Sequence, residues 1–322
     1  MYHMLKEINT EPDLVRKYTE NDFTKATEIY RVLRESNISY ILGNGSSYHA
    51  AVYLSILLNR RGINSTPMIS SEAGFCIGHE GNKRTAVIFS QSGNSIDAVK
   101  AAEFLKSAGI RIIAITNTEG SRLSELSDIS YYTEAGEELS VAATKSHLSQ
   151  LLASLTIAYA EDSDTIIQLL DKVRINYAKI VRDAEKIKNA ADTSEKMSIF
   201  LGSGLLYPLA LESSLKLTET SNVISKAFPV REFLHGPKQL LDQKWSVFIL
   251  SRDEEVGKEL LGYTKSVTDV ERFLSENFGI DEDDEIVSSL TTLMFIQLFS
   301  YYTSTGLGLN PDKPTKLSKV VR

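Results

Sequence analysis

Three short stretches of the sequence combine residue types that can do chemistry. The first, Ser90-Gln91-Ser92-Gly93-Asn94-Ser95, lies between an apolar run and an amphipathic one. Hydroxyls, a glycine that admits a ligand close to the backbone, and the unpaired amides of a helix N-terminus together make an anion cradle. The same residues also read as a simple turn in which Ser95 caps the next helix. A neighbouring loop, Gly43-Asn44-Gly45-Ser46-Ser47, adds Asn44, Gly45 and two more hydroxyls. Two polar, glycine-bearing loops at the carboxyl ends of parallel strands are where open α/β sheets bind ligands, so the pair favours a phosphate site. A dinucleotide fingerprint does not fit, because Tyr48 stands where the third glycine of G-x-G-x-x-G belongs, and the Gly-Lys-Ser/Thr ending of a P-loop is missing.

The second stretch is YPLALESSLKLTETSNVI, in which Glu212, Lys216 and Glu219 fall at i, i+4 and i+7 and share one helix face. A salt-bridged solvent face is the ordinary fate of such a triplet. The rest of this helix is apolar or small, however, and charges on a buried helix cost desolvation unless they line a cleft. Such a setting suits a carboxylate as general base or a lysine as carbonyl-reactive amine. The third stretch is Phe228–Lys238, with His235 ahead of Gly236-Pro237 in a constrained turn. His3, His49, His79 and His147 are scattered without ligand spacing, so no metal site is expected. No serine sits in a G-x-S-x-G elbow.

The elements that would position these residues alternate in type. Ser39–Leu42, Thr85–Phe89, Arg111–Thr116 and Ile129–Tyr132 read as strands. Tyr48–Asn59, Ile96–Ala108 and Thr144–Ala160 read as helices between or after them. That alternation predicts an α/β fold, an αβα sandwich on a mainly parallel sheet. Asp164 to about Ala191 is helical and charge-laced, a connecting helix. The second half then repeats the first: Ile41-Leu42-Gly43-Asn44-Gly45 recurs as Phe200-Leu201-Gly202-Ser203-Gly204, 159 positions later. Thr85–Ser90 recurs as Ser246–Ser251, but the loop SQSGNS becomes SRDEEV, whose acids would repel a phosphate. The expected division is therefore residues 1–22 as an N-terminal segment, 23–163 as a first domain, 164–194 as the connector and 195–322 as a second copy. The acidic run Asp281–Glu285 reads as a solvated helix start.

Composition narrows the classes. The chain has 322 residues, 42% hydrophobic and 24% charged, enough for two cores. With 35 basic and 42 acidic residues the net charge is −7, which argues against nucleic-acid or anionic-membrane partners. Its one cysteine, Cys76, allows no internal disulfide and suits a cytoplasmic setting. The N-terminus has no signal-peptide core and no apolar run approaches the ~20 residues of a membrane span.

Taken in order, GNGSSYHA, SQSGNS, YYTEAGEELSVAATKS, YPLALESSLKLTE, EFLHGPK and the final KLSKVVR resemble the sugar isomerase (SIS) family. The likeness is to the isomerase half of the glutamine–fructose-6-phosphate aminotransferases and to the stand-alone SIS-type glucosamine-6-phosphate deaminases, and it covers nearly the whole chain. The resemblance implies two tandem SIS domains. It implies that Ser46, Ser47, Ser90, Gln91, Ser92 and Ser95 bind the sugar phosphate, with Asn44, Gly45, Val141 and Ala143 near the sugar. Glu219 would shuttle a proton between C1 and C2, and Lys216 would sit at the carbonyl end. His235 would help open the ring, and Lys319 on the tail would close the pocket. The family's histidine comes from a neighbouring subunit, which implies a homodimer with shared sites. No metal or organic cofactor is implied. Asn44 and Ala143 depart from the aminotransferase pattern, where a cysteine and a serine are usual.

The aminotransferases take ammonia from glutamine through a separate domain with an N-terminal cysteine. This chain begins at the isomerase half and Cys76 is internal, so the expected reaction is glucosamine 6-phosphate plus water giving fructose 6-phosphate and ammonia. The Phe-x-His-Gly-Pro-Lys form also leans toward the deaminases. The rivals are a deglycase acting on fructosamine 6-phosphates and a non-catalytic phosphosugar sensor; the joint presence of Lys216, Glu219, His235 and Lys319 argues against the sensor.

Overall fold

The computed structural model describes residues 1–20, 23–78, 81–191, 197–242, 244–250, 254–264, 266–281 and 283–319. His79 and residues 251–253 of the SRDEEV loop lie outside them. The chain divides into two compact units, each with its own parallel sheet.

The five-stranded unit comprises Leu14–Glu138, Lys145–Leu170 and the tail from Ser318. Its strands are β1 (Ile38–Gly43), β2 (Ser65–Ile69), β3 (Arg84–Phe89), β4 (Arg111–Thr116) and β5 (Ile129–Tyr132), in the order β2-β1-β3-β4-β5 and all parallel. Both faces of the central strands are buried. Leu42, Ile88 and Ile112 pack with Ala98, Ala102 and Leu105 of helix Ile96–Ser107. Ile41, Val87 and Ile113, whose side chains alternate to the opposite face, are equally excluded from water. Four of these strands were legible as apolar runs. β2 was not, because it carries Pro67 and half-exposed residues, as an edge strand can. The predicted helices are present as Ser46–Arg60, Ile96–Ser107 and Lys145–Ala158.

The four-stranded unit comprises Met1–Asp13, Leu139–Thr144 and Asp171–Leu317. It contains β6 (Met197–Gly202), β7 (Ser225–Pro229), β8 (Trp245–Ile249) and β9 (Val267–Asp269), ordered β7-β6-β8-β9 and parallel. This is the order of the first four strands of the other sheet, so the internal repeat is one of fold as well as sequence. β6 follows β1 by the same 159 positions as the sequence repeat. Ile199, Leu201, Val247 and Ile249 face Phe233, Val256 and Leu260. On the other face Phe200 stacks on Phe248, which meets Phe299 of helix Glu285–Gly306 edge-on, both at 4.9 Å. That helix starts as the acidic run suggested, with Asp284 accepting from the amides of Ile286 and Val287. The charge-laced stretch is two helices, Ser163–Arg182 and Glu185–Ala191. Among the described residues no helix is long and apolar enough to cross a membrane.

The repeated glycines do one job twice. A Cβ on Gly43 would lie 2.3 Å from the Ser47 carbonyl group, and one on Gly202 would lie 2.3 Å from the Leu206 carbonyl oxygen. Only glycine lets the strand end abut the first turn of the helix that follows.

Candidate functional site

In the five-stranded unit the two serine loops follow β1 and β3, adjacent strands in the sheet. Gly45, at φ +55°, turns the chain into helix Ser46–Arg60, and no side chain caps that helix. Ser47 Oγ accepts a 2.9 Å hydrogen bond from Gln150 Nε2, which fixes the hydroxyl in place. Asn44 Oδ1 is buried and has no hydrogen-bond partner. After β3, Ser90 is buried and its amide donates to Ile115. The carbonyl of Gln91 accepts from the hydroxyl of Thr116 and the amide of Asn117, tying this loop to the end of β4. Ser92 Oγ receives the amide of Asn94 at 3.2 Å.

Ser95 stands at the N-cap position of helix Ile96–Ser107, yet its side chain makes no capping bond. The cap reading of this serine therefore holds for its backbone alone. Its hydroxyl and the first amides of a twelve-residue helix form a donor set with a positive helix end behind it.

Lys319 belongs to this same unit. Its Nζ is 2.5 Å from Glu138 Oε2, whose side chain is wholly buried. Glu138 carries no local signal of a site residue in the sequence, lying inside the stretch YYTEAGEELSVAATKS. Its partner lies 181 positions away, a distance over which spacing carries no signal.

In the four-stranded unit, helix Leu206–Ser221 presents the triplet as its spacing required. Lys216 Nζ lies 3.3 Å from Glu212 Oε1 and 2.7 Å from Glu219 Oε2. The solvent-face reading fails here: Glu212 is fully buried, the Lys216 side chain is 1% exposed, and only Glu219, at 21%, reaches water. Burial alone would push the Lys216 pKa down, but the Glu212 and Glu219 carboxylates outweigh it and hold the pKa above the usual lysine range. Lys216 is thus a fixed ammonium, which disfavours the carbonyl-reactive amine among the roles its position suggested. His235 ends a 3-10 turn, Glu232–His235, before Gly236, and is exposed.

Val141 and Ala143 belong to the four-stranded unit and are half-buried. Their segment is pinned by residues distant in sequence. Glu7 Oε1 accepts from the amide of Leu139 at 2.6 Å, and the Val141 amide donates to the Asp312 carbonyl at 3.1 Å. The Asp312 carboxylate in turn caps helix His3–Asn9 by accepting from the amides of His3 and Met4. This unit also holds a cavity of about 860 Å³ lined by Gly257, Lys258, Val267, Asp269, Arg272 and Glu276 among others. None of the predicted site residues lines it. Among the described residues no group of three His, Cys, Asp or Glu side chains has metal-holding geometry.

Residues 32–160, which span the five-stranded sheet, match the SIS domain family. The chain carries a SIS domain. Across 99% of its length it is 32% identical to the glutamine–fructose-6-phosphate aminotransferase (isomerizing) of Sulfolobus acidocaldarius, of which it spans 56%. Two solved structures share the fold over nearly the whole chain. The C-terminal domain of the glucosamine-fructose-6-phosphate aminotransferase from Francisella tularensis superposes with a TM-score of 0.84 at 24% identity, covering 97% of this chain and 98% of that one. The glucosamine-6-phosphate deaminase from Thermotoga maritima does so with a TM-score of 0.81 at 26% identity, covering 99% of each.

Proposed function

We propose that the protein is a phosphosugar aldose–ketose isomerase of the deaminase type, converting glucosamine 6-phosphate and water into fructose 6-phosphate and ammonia. The observation that carries this reading is the buried Glu212–Lys216–Glu219 set, an ammonium held between two carboxylates of which Glu219 alone is open to solvent. A protein that only senses a phosphosugar needs an anion cradle. It has no use for a buried acid–base array whose desolvation must be offset.

On this reading the serine loops hold the phosphate through hydroxyls and helix-end amides. His235 assists ring opening. Glu219 takes the proton from C2 of the open-chain sugar and returns it to C1, which turns the aldehyde and amine into a hydroxymethyl group and a C2 imine. Water adds to that imine, ammonia leaves, and the ketose results. Lys216 keeps Glu219 in place through its 2.7 Å hydrogen bond and carries positive charge toward the carbonyl end, where the enolate oxygen develops. The reaction needs neither metal nor organic cofactor. The exposure of His235 in the single chain accords with a homodimer in which each subunit lends this histidine to the other.

The test is a panel of phosphosugars assayed together for ammonia, ketose and amino acid. Ammonia and fructose 6-phosphate in equal amounts from glucosamine 6-phosphate is the expected result. Amino acid released from a fructosamine 6-phosphate instead would transfer the site to a deglycase, and no turnover of any member would overturn the enzymatic reading.

A further inference from the structure

Glu138 stands at the end of the segment that follows β5, and its surroundings are built rather than incidental. Asn117 fixes the approach, donating to the Gly136 carbonyl and accepting from the Ala135 amide, both at 2.8 Å. One carboxylate oxygen of Glu138 accepts from the Ser146 amide at 3.0 Å. The other accepts from the Ser146 hydroxyl at 2.6 Å and from the Lys319 ammonium at 2.5 Å. Burial by itself would raise the Glu138 pKa, but Lys319 and the Ser146 donors outweigh it and hold it below the ordinary carboxylate range.

Part of this is helix capping, since a carboxylate at the start of helix Lys145–Ala158 satisfies the Ser146 amide of its first turn and complements its dipole. Capping does not account for the ammonium on the same oxygen, brought from the far end of the chain. The helix itself supplies the connection. Ser146 and Gln150 are four residues apart, so they share a face about 6 Å apart along the axis. Ser146 holds Glu138, and Gln150 holds the Ser47 hydroxyl of the first serine loop. One face of one helix therefore carries the docking point of Lys319 and, a turn further on, the brace of a phosphate-loop hydroxyl. Lys319 stays 27% exposed, so its ammonium keeps a side open to solvent.

We propose that Glu138 is a positioning residue: its buried carboxylate docks the Lys319 ammonium and so places the tail's cation beside the Ser47 loop, where an anionic sugar phosphate meets it. This rests on the phosphosugar reading above. Glu138→Gln tests it, because the amide oxygen still accepts from Ser146 while the charge that holds Lys319 is gone. In the ligand-free protein, tryptic cleavage after Lys316 and Lys319 is expected to accelerate at least 5-fold in Glu138→Gln. Lys319→Met, which leaves Glu138 and its Ser146 donors in place, is expected to accelerate cleavage after Lys316 to a similar degree and keeps the test open if Glu138→Gln fails to fold. With glucosamine 6-phosphate as probe, each single variant is expected to raise the Kd about 10-fold, and the double variant no further. An unchanged cleavage rate in both variants, or losses of affinity that multiply in the double variant, would overturn the proposal. Absence of glucosamine 6-phosphate binding in the unaltered protein would count against the functional reading, while the cleavage comparison would still decide whether Glu138 docks the tail.

Discussion

Replacing Lys216 with methionine keeps the length and packing of the side chain and removes its charge, which exposes what the ammonium does. Glu219 is 21% exposed and can be rehydrated when its partner goes, but Glu212 is fully buried and cannot. Breaking a buried ion pair by deleting one partner costs about 3–5 kcal/mol. With an m-value of about 2 kcal/mol/M, that loss lowers the urea midpoint of the transition involving this unit by roughly 1.5–2.5 M.

The pH dependence carries the sharper signature. In the unaltered protein the Lys216 pKa is raised, so its contribution is complete below the unfolded value of about 10.4 and fades only as pH climbs through the higher folded value. This group therefore leaves stability flat between about pH 5.5 and 8.5. In the variant Glu212 must either bear an interior charge without its ammonium or keep its proton. While it keeps the proton, the native state binds one more proton than the unfolded state, whose glutamate titrates near 4.3, and stability falls by about 1.4 kcal/mol per pH unit. Urea titrations of both proteins at several pH values measure this directly. Adding Glu212→Gln to the variant is expected to remove the slope and restore most of the loss. A variant as stable as the parent at pH 8 would refute the buried-array account.

Two further outcomes follow from the site. Ser92→Ala combined with Ser95→Ala removes two hydroxyl donors to a charged group, each worth about 1.5–3 kcal/mol. Calorimetry with glucosamine 6-phosphate is expected to show affinity reduced at least about 10-fold, and equal affinity would remove these hydroxyls from the cradle. Mixing inactive His235→Ala subunits with inactive Glu219→Gln subunits is expected to restore partial turnover through hybrid dimers carrying one intact site. No recovery after subunit exchange would end the shared-site proposal.

What could be read in advance was whatever local sequence determines. β1, β3 and β4 are apolar runs buried on both faces, and the Gly43/Gly202 pair marks the same close approach of strand to helix in both copies. The triplet on helix Leu206–Ser221 was legible because helical spacing alone puts its members together. β2 and β7 escaped because each lies at a sheet edge, carries a proline and exposes part of its surface, so no apolar run announces it. β9 is three residues long, too short to show a pattern. The contacts that pin segments within each unit, Glu7 on Leu139, Asp312 on the first helix and Glu138 on Lys319, join residues 132 to 309 positions apart. Nothing local distinguishes those carboxylates from solvated ones; only the folded chain shows them buried and engaged.

In the proposed reaction Glu219 moves the proton. Glu219→Gln keeps the shape of the side chain and an acceptor for Lys216 while removing the base. With glucosamine 6-phosphate as substrate, turnover is expected to fall at least about 1,000-fold, within the range general-base removal produces, with its Kd within about 3-fold of the parent. Turnover near that of the unaltered protein would contradict the account.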